Sequence, residues 1–279
     1  MSDIKATIVI LDYRKAAQVL ANVRTLAEQA CDFAYKIIVI DNSCQADNAK
    51  TLQSLRKCEN LKLFINPKNT GYTKAYNAVK HEIEGEYVLI VNPDILWQEK
   101  DAFQKMIDYM DAHQAIGILG PKQIERNGRI AMTIRAWPKL YLQVSRRSWL
   151  RRLPIIKNKV AYDEMRHLNY GEIQDVDWLQ SSCVVIRKLV WDLAGGLCED
   201  YFLFMSDVEI CYEAWRNGFR VTYYPAAKVF ADGKRVSAGG FIKFFQSWVL
   251  RQHFKDSLRY RLKHIFDNDP RLDFRKRKI

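Results

Sequence analysis

Residues 36–43 read KIIVIDNS, an apolar segment that ends in polar side chains. A short apolar run predicts a buried strand, and Asp41 follows it directly. The same design returns at residues 87–94, which read YVLIVNPD, so that a second apolar strand leads to Asp94. Continuous apolar runs of this length are typical of strands in a parallel sheet with both faces covered.

Around these two segments, short apolar strands alternate with amphipathic helices through the first half of the chain. The predicted strands are 6–11, 36–40, 61–65, 87–91 and 116–119, and the predicted helices are 16–29, 47–57, 72–81 and 100–111. This alternation predicts an α/β fold, a Rossmann-like and mainly parallel sheet flanked by helices. Ligands of such sheets bind beyond the carboxyl ends of the strands. That rule selects residues 12–13, 41–42, 66–71 and 92–94.

The second half is less regular. Residues 137–172 lack a clear periodicity. Beyond them we predict strands at 176–186 and 220–224, the latter ending at Pro225, and a helix at 207–217 closed by Gly218. A strong helical pattern at 241–266 predicts an amphipathic C-terminal extension.

Charge is concentrated in two basic patches. The chain has 279 residues and a formal net charge of +12. Residues 135–160 hold eight Lys or Arg and no acidic residue, and residues 241–279 hold eleven basic and four acidic residues. Such patches attract polyanions: nucleic acid, anionic lipid or diphosphate-linked substrates.

Several classes of protein are disfavoured by what the sequence lacks. It has no apolar run long enough to span a membrane and no visible signal peptide, so we expect a cytoplasmic chain. Its six cysteines include no C-x-x-C pair, which speaks against a zinc site or a disulfide framework. The dinucleotide, P-loop, H-E-x-x-H and G-x-S-x-G motifs are absent.

Carboxylates and amides at the predicted strand ends suit a hard divalent cation and a diphosphate. Asp41 can accept a hydrogen bond from a nucleobase, and Asp94 can hold Mg²⁺ or Mn²⁺. Both positions have a second interpretation. Asp and Asn favour helix N-caps and turns, and Asn-Pro-Asp is a common turn.

Several motifs in the right order resemble glycosyltransferase family 2, with the GT-A fold, and are similar to its bacterial rhamnosyltransferase-like branch. The resemblance covers roughly residues 5 to 265. It rests on VILDY at 9–13, IVIDNS at 38–43, NPKNTGY at 66–72 and on to Asn77, NPD at 92–94, VDWL at 176–179 and FLFMSDVEIC at 202–211.

The resemblance implies a role for individual residues. It implies donor binding by Asp12, Tyr13, Asp41, Asn69, Gly71, Asn77 and Asn92, a metal ligand at Asp94, acceptor binding by Trp178 and Ser206, and a general base at Asp207. Read locally, Asp207 is also a helix N-cap candidate.

Two positions depart from the family pattern. Ser206 stands where the family usually has Glu, which puts one contribution to the base or acceptor in doubt. Ala231 lies where the family often has a His that helps hold the metal or diphosphate. Asp232, Lys234 and Arg235 are candidates to compensate.

The family implies an inverting, metal-dependent transferase with a GT-A catalytic domain at 1–240. Its nucleotide-binding part covers about 1–120 and its acceptor-binding part about 121–240, and a basic helix and tail follow at 241–279. The branch implies L-rhamnose from dTDP-rhamnose, moved to a saccharide or polyprenyl-linked oligosaccharide in bacterial O-antigen or capsule synthesis.

The C-terminal pattern leaves two interpretations open. Leu250, Phe254, Leu258, Leu262 and Phe266 recur every fourth residue, and Arg251, Lys255, Arg259 and Lys263 recur beside them. A basic amphipathic helix suits an anionic membrane surface, which predicts a peripheral protein on the inner face of the cell membrane. The alternative is a helix packed on the catalytic domain.

Two other functions compete with the enzyme. The net charge of +12 suggests a nucleic-acid-binding protein as an alternative. However, no nucleic-acid-binding motif is present, and no nucleic acid is expected as partner. The departures at Ser206 and Ala231 suggest a second alternative, a non-catalytic nucleotide-sugar-binding protein of the same fold.

Overall fold

The computed structural model describes residues 3–139, 142, 145, 153–163, 165–231 and 247–276. The strands in this part of the chain are β1 (Ile4–Asp12), β2 (Ala34–Asp41), β3 (Leu61–Ile65), β4 (Tyr87–Val91), β5 (Ile95–Leu96), β6 (Ile116–Glu125), β7 (Ile134–Arg135), β8 (Gln174–Asp175), β9 (Trp178–Leu179), β10 (Cys183–Arg187) and β11 (Arg220–Ala231).

Helices connect most of these strands. They are α1 (Ala16–Ala27), α2 (Ala46–Leu52), α3 (Tyr72–Ala78), α4 (Ala102–Ala112), α5 (Pro154–Asp163), α6 (Lys188–Ala194), α7 (Ser206–Arg216), α8 (Trp248–Lys263) and α9 (Pro270–Lys276). Short 3₁₀ turns at Gln53–Lys57 and Lys80–Glu82 extend α2 and α3 toward the predicted ends of these helices.

One large sheet organises the molecule, in the order β3-β2-β1-β4-β10-β6-β11-β5, with β8 also paired to β11. Strands β3, β2, β1 and β4 are parallel, as are β6 and β11. Strand β10 runs antiparallel between β4 and β6. Strands β7 and β9 form a separate antiparallel ribbon. The predicted α/β fold with a mainly parallel sheet is confirmed.

The core lies on both faces of this sheet. Ile8 and Val39 point to the face covered by α1 and α4. Val9 and Ile38 point to the opposite face, where α3, α6 and α7 pack. Because successive residues of a strand face opposite sides, burial on both faces requires the continuous apolar runs seen in the sequence.

Two predicted strands differ from the structure. Residues 176–186 form β9 and β10 rather than one strand, because β9 pairs with β7 whereas β10 pairs with β4 and β6. Strand β11 continues past Pro225. Its register against β6 shifts between Tyr224 and Lys228, and this bulge accommodates a residue that has no N–H to donate.

Within the irregular stretch 137–172 the structure has α5. Of the helical pattern predicted at 241–266, residues 241–246 lie outside the described residues, and most of the remainder forms α8. None of the helices in the described segments combines the length and apolarity that crossing a membrane requires.

The C-terminal helix α8 packs on the body of the molecule. Leu250, Ser257 and Tyr260 are buried, and Tyr260 joins a cluster with Tyr201 and Val208. Leu250 is the one buried member of the predicted apolar row, and exposure rises along the row to 61% at Leu262 and 94% at Phe266. Docking uses a mixed polar and aromatic face.

A buried ion pair adds to this docking. The carboxylate of Glu209 on α7 lies 2.6 Å from the Lys263 ammonium and 2.8 Å from Nε2 of His264. Asp267 contacts Nδ1 of the same histidine at 2.7 Å.

Candidate functional site

Two buried carboxylates lie side by side at the carboxyl ends of β1 and β2. Asp12 and Asp41 are cross-strand partners. The side-chain amide of Asn48, on α2, donates to both: to Oδ2 of Asp12 and, at 3.1 Å, to Oδ1 of Asp41. The parallel pairing of β1 and β2 therefore brings together two carboxylates that are almost thirty residues apart in the sequence.

The two carboxylates differ in their surroundings. Burial raises the pKa of Asp12, and the nearby charge of Asp41 acts in the same direction, while hydrogen bonds from Asn48 and the Lys15 backbone oppose the rise. Oδ1 of Asp41 also accepts the backbone N–H of Ser43 at 2.9 Å. Oδ2 of Asp41 is buried and has no hydrogen-bond partner among the described residues. It is therefore a hydrogen-bond acceptor that no described residue uses.

The segment after β3 is organised around the buried side chain of Asn42. The Asn42 amide donates to Oδ1 of Asn69 at 2.9 Å and to the carbonyl of Gly71 at 3.2 Å. Its oxygen accepts from Asn66 at 3.1 Å and from the backbone N–H of Thr70 at 3.2 Å. Oδ1 of Asn69 also accepts the N–H of Gly71 at 2.9 Å. Asn69 thus shapes this loop.

Gly71 is required by both its conformation and its surroundings. Its φ of 86° and ψ of −179° fall in a region that essentially only glycine adopts. A Cβ at this position would lie 2.8 Å from the backbone oxygen of Phe202. That oxygen accepts the N–H of Tyr72 at 2.7 Å. The loop therefore packs directly on the segment that precedes α7.

Asp94 lies just beyond β4 and forms an ion pair. Its Oδ2 is 3.3 Å from Nζ of Lys15, and its side chain is 13% exposed. The backbone N–H of Lys15 donates to Oδ1 of Asp12 at 2.7 Å. One lysine thus connects Asp94 to the pair of carboxylates on β1 and β2.

Asn92 and Asp207 are connected through the turn between β9 and β10. The backbone N–H of Asn92 donates to the carbonyl of Ser182 at 2.8 Å. The neighbouring Ser181 shares a 3.0 Å hydrogen bond with the hydroxyl of Tyr72, and its backbone lies close enough to the Asp207 carboxylate to lower the pKa of that group. Asp207 therefore lies at the same edge of the sheet as Asp94.

Asp207 lies in the first turn of α7 and is half-buried. Burial raises the pKa of Asp207 to about 6. Backbone N–H donors of Val208, Asp207 itself and Ser181, and the charge of Arg135, act in the opposite direction. A carboxylate with this pKa is ionised at neutral pH and is still a usable base.

Three more of the predicted residues, Tyr13, Trp178 and Ser206, have different surroundings. Tyr13 is 47% exposed, with the Arg14 guanidinium 5.1 Å from its ring centroid. Trp178 donates from Nε1 to the carbonyl of Ala136 at 2.7 Å. Ser206 is buried next to Asp207.

Asn77 is engaged away from the strand ends. Its side chain exchanges hydrogen bonds with the backbone of Leu197, at 2.7 and 2.9 Å, and donates to Glu199 at 3.0 Å. These contacts tie the last turn of α3 to the 197–199 segment. Asn77 is thus a connector in this structure, and the structure does not bring it into the carboxylate cluster.

Asp94 is the residue that the sequence predicts as a metal ligand. Among the residues that the structure describes, no three His, Cys, Asp or Glu side chains form a group able to hold a metal on their own. Asp94 nevertheless fits a cation, because the Lys15 ammonium already contacts its carboxylate. A single carboxylate completed by substrate phosphates and water is a usual Mg²⁺ arrangement.

Ala231, which lies where the family often has a histidine, is the last residue of β11. Its proposed replacements Asp232, Lys234 and Arg235 lie outside the described residues.

Sequence reasoning missed Asn48, Lys15, Tyr72 and Ser181. Lys15 carries a recognisable signal, since it follows the predicted strand 6–11 by four residues, and Asn48 lies in the first turn of the predicted helix 47–57. Ser181 had none, because it lay inside a segment predicted as one continuous strand.

Comparison with known proteins gives the family. The family model described as "Glycosyltransferase like family 2" matches residues 5–252, well over half of the chain. The chain is 27% identical over 203 residues to the N-acetylglucosaminyl-diphospho-decaprenol L-rhamnosyltransferase of Mycobacterium tuberculosis, covering 66% of this chain and 64% of that protein. It thus spans a little less than two thirds of that relative. It is 24% identical over 236 residues to the rhamnosyltransferase WbbL of Escherichia coli (strain K12), covering 83% of both chains.

Solved structures give the fold. The mannosyltransferase PcManGT of Pyrobaculum calidifontis, in complex with GDP-Man and Mn²⁺, superposes with a TM-score of 0.57 at 14% identity, covering 85% of this chain and 60% of that one. S. aureus TarS 1–349, in complex with UDP-GlcNAc, gives 0.57 at 18% identity, covering 83% and 59%. The sheet is that of the GT-A fold. Because the family model spans most of the sequence, the chain belongs to glycosyltransferase family 2, and both relatives named above are rhamnosyltransferases by name.

Proposed function

We propose that this protein transfers a sugar from a nucleoside-diphosphate donor to a saccharide acceptor, with inversion at the anomeric carbon. One observation carries the proposal. Three carboxylates from separate segments, Asp12, Asp41 and Asp94, are joined at one edge of the sheet through Asn48 and Lys15, and Asp207 lies at the same edge beside Ser181. Ligands of α/β sheets bind at this edge.

The donor half of the proposed site uses β1, β2 and the 66–72 loop. The unpartnered Oδ2 of Asp41 accepts a hydrogen bond from the nucleobase. Asn69 and Gly71 hold the loop against this edge, and Asp12 and Asn48 fix the orientation of the Asp41 carboxylate. Tyr13, Asn77 and Asn92 complete the predicted donor set, with Asn77 acting through the position of α3.

Asp94 is the proposed ligand for Mg²⁺ or Mn²⁺. When bound there, the ion supplies positive charge to the departing diphosphate. On metal binding, the Lys15 ammonium leaves its ion pair with Asp94 and contacts the phosphates of the donor instead. Its ammonium is 33% exposed at the side chain, so this rearrangement does not require the core to open.

Asp207 is the proposed general base. The acceptor hydroxyl oxygen forms the new bond to the anomeric carbon while the bond to the diphosphate oxygen breaks, and Asp207 takes the hydroxyl proton. The backbone N–H of Val208 donates to its carboxylate at 3.0 Å, so that the base is oriented before the acceptor arrives. Trp178 and Ser206 border the proposed acceptor side.

The names of the relatives support a finer donor and acceptor. We propose L-rhamnose from dTDP-rhamnose as donor and a saccharide or polyprenyl-linked oligosaccharide as acceptor, in bacterial surface polysaccharide synthesis (O-antigen or capsule). The mycobacterial and E. coli relatives are both rhamnosyltransferases by name, and the former acts on a diphospho-decaprenol compound.

A lipid-linked acceptor favours a protein that binds the inner face of the cell membrane. Leu262 and Phe266 of the C-terminal segment are 61% and 94% exposed. Lys255 and Arg259 are exposed on α8 as well. Apolar residues flanked by basic ones suit an anionic bilayer surface, where each basic residue contributes about 1 kcal/mol.

Vesicle flotation tests the membrane part. The wild-type chain is expected to float with phosphatidylglycerol vesicles and to stay behind with phosphatidylcholine vesicles. The double variant Leu262→Ser, Phe266→Ser is expected to lose flotation. Leu193→Ser, at an equally exposed leucine on α6, is the matched control and is expected to keep it. Equal flotation of all three proteins would contradict the assignment.

A donor screen tests the enzyme. Nucleotide sugars are added with and without Mn²⁺ or Mg²⁺, and the unfolding temperature and nucleoside-diphosphate release are measured. We expect dTDP-rhamnose to stabilise the fold only with metal and to be turned over. Salt-dependent retention on DNA without any nucleotide-sugar effect would indicate a nucleic-acid-binding protein instead. Stabilisation by donor with no turnover under any acceptor would indicate a non-catalytic binding protein.

A further inference from the structure

The carboxylate of Asp256, on the C-terminal helix α8, is completely buried and accepts three consecutive backbone N–H groups. Oδ1 accepts from Phe202 at 3.3 Å, and Oδ2 accepts from Leu203 at 3.1 Å and from Phe204 at 3.0 Å. Successive backbone amides that converge in this way form an anion-binding concavity. Here a side chain of the same protein occupies it.

The 202–204 segment lies between the two halves of the proposed site. On one side the carbonyl of Phe202 accepts the N–H of Tyr72 at 2.7 Å, next to Gly71. The hydroxyl of Thr73 donates to the carbonyl of Tyr201 at 2.6 Å. The 66–72 loop and this segment therefore share one packed boundary.

On the other side, the segment leads directly into Asp207. Met205 has a φ of 71° and reverses the chain direction, and α7 begins at Ser206. A non-glycine residue with such a φ persists only where the surroundings fix it. Asp256 supplies three of the fixing hydrogen bonds, immediately before the turn.

We infer that Asp256 is a positioning residue for the transfer reaction: from the C-terminal helix it holds the 202–204 amides, and through them it sets the place of Asp207. The inference rests on the proposed function, in which Asp207 is the general base. It makes α8 a part of the active site in addition to any role at a membrane. Charged acceptors bind backbone amides about twice as strongly as neutral ones, so the negative charge of Asp256 matters as well as its shape.

Asp256→Asn keeps the shape of the side chain and removes the charge. With dTDP-rhamnose and Mn²⁺ as probes, we expect kcat to fall at least about tenfold while the affinity for dTDP changes less than about threefold, since a tenfold rate change corresponds to a modest loss of alignment. The pH midpoint of kcat is expected to shift, because the amides that hold the turn also set the surroundings of Asp207. Hydrogen exchange of peptides covering 201–207 is expected to accelerate.

Asp273→Asn, on the adjacent helix α9, is the matched control. It removes an acid that is 36% exposed and that pairs only distantly with Lys276, at 3.9 Å. We expect it to leave kcat, the pH midpoint and exchange unchanged.

A second variant guards against misfolding. Asp256→Ala opens the amide concavity, and added formate is expected to restore part of kcat, whereas the neutral formamide is expected to have no effect. An Asp256→Asn enzyme with wild-type kcat, pH midpoint and exchange would overturn the inference. So would an equal loss of kcat, dTDP affinity and overall stability, which is what a merely structural residue gives. A wild-type chain that turns over no donor would instead overturn the proposed function itself.

Discussion

The ammonium of Lys15 and the carboxylate of Asp94 form an ion pair of 3.3 Å, while the backbone N–H of the same lysine donates to Asp12. A positive charge thus sits where the proposed metal ion would bind. The pair keeps a partly buried carboxylate neutralised until a cation and a diphosphate arrive together. Metal binding without nucleotide is accordingly expected to be weak.

Replacement of Asp94 by Asn is expected to abolish the metal-dependent part of nucleotide binding, because the only charged ligand proposed for the ion is lost. Thermal unfolding with dTDP, with and without Mn²⁺, measures this. Asp101→Asn, at a more exposed carboxylate paired with Lys105, serves as control and is expected to behave as wild type. An undiminished Mn²⁺ effect in Asp94→Asn would mean that the ion is held elsewhere.

Replacement of Asp207 by Asn is expected to lower kcat by about 10²–10⁴, the usual contribution of a general base. The affinity for dTDP with Mn²⁺ is expected to stay within about threefold, since Asp207 is proposed to act on the acceptor hydroxyl and not to bind the nucleotide. Steady-state kinetics and nucleotide titration provide the two numbers. A variant with undiminished turnover would remove Asp207 from the mechanism.

The pH dependence of turnover follows from the pKa of Asp207, which burial raises to about 6. The base acts in its ionised form. The rate is therefore expected to be flat above this pH and to fall about tenfold per pH unit below it. A profile of kcat measured over the acidic and neutral range tests this, with folding checked at each pH. A rate that rises on acidification would contradict a carboxylate base.

Replacement of Gly71 by Ala is expected to reduce the free energy of unfolding by at least about 3 kcal/mol, because the backbone conformation is restricted to glycine and the new Cβ meets the Phe202 oxygen. Urea unfolding measures the loss. Gly195→Ala is the matched control: its φ of 73° and ψ of 19° are left-handed helical, and its Cβ meets nothing within 4 Å. There we expect a loss of about 1–2 kcal/mol. Equal losses would show that the contact with Phe202 contributes nothing.

The docking of α8 is expected to depend on pH. Burial pushes the pKa of His264 down, but hydrogen bonds to Glu209 and Asp267 leave it above its ordinary value of 6.5. Burial pushes the pKa of Glu209 up, but hydrogen bonds from His264 and Lys263 leave it below its ordinary value of 4.5. The histidine contributes stability below pH 6.5 that is lost as the pH rises through its raised pKa. The glutamate contributes stability above pH 4.5 that is lost as the pH falls through its lowered pKa.

The stabilising effect of this pair is therefore greatest between about pH 4.5 and 6.5. Urea unfolding of the wild-type chain across neutral pH is expected to show a decrease that His264→Gln lacks. His81→Gln, at a histidine that is 69% exposed at its side chain, is expected to retain the wild-type decrease. The same slope in all three proteins would exclude His264 as its source.

The strands and the carboxylates at their ends could be predicted from sequence because each is a local pattern. An apolar run followed by Asp41 or Asp94 specifies a buried strand and a polar tip, and parallel pairing then brings the tips together. Within the described residues, the predicted helices of the first half also begin and end within a few residues of the observed ones.

The connections between distant segments could not be predicted in this way. Asp256 binds amides some fifty residues earlier in the chain, and no periodicity encodes such a pairing. The division of 176–186 into β9 and β10 depends on which strands pair with each part, and Ser181 became visible only with that division. Pro225 predicts the end of a strand, because proline has no backbone N–H to donate. The bulge that lets β11 continue depends on its pairing with β6, which the sequence does not show.

The place of β10 in the sheet has a consequence for biosynthesis. This strand lies between β4 and β6 but follows both in the sequence, so a growing chain that has reached Glu125 contains two neighbours without the strand that joins them. Unpaired strand edges are prone to wrong associations. The amino-terminal half alone therefore cannot complete the sheet, which needs residues 183–187 of β10.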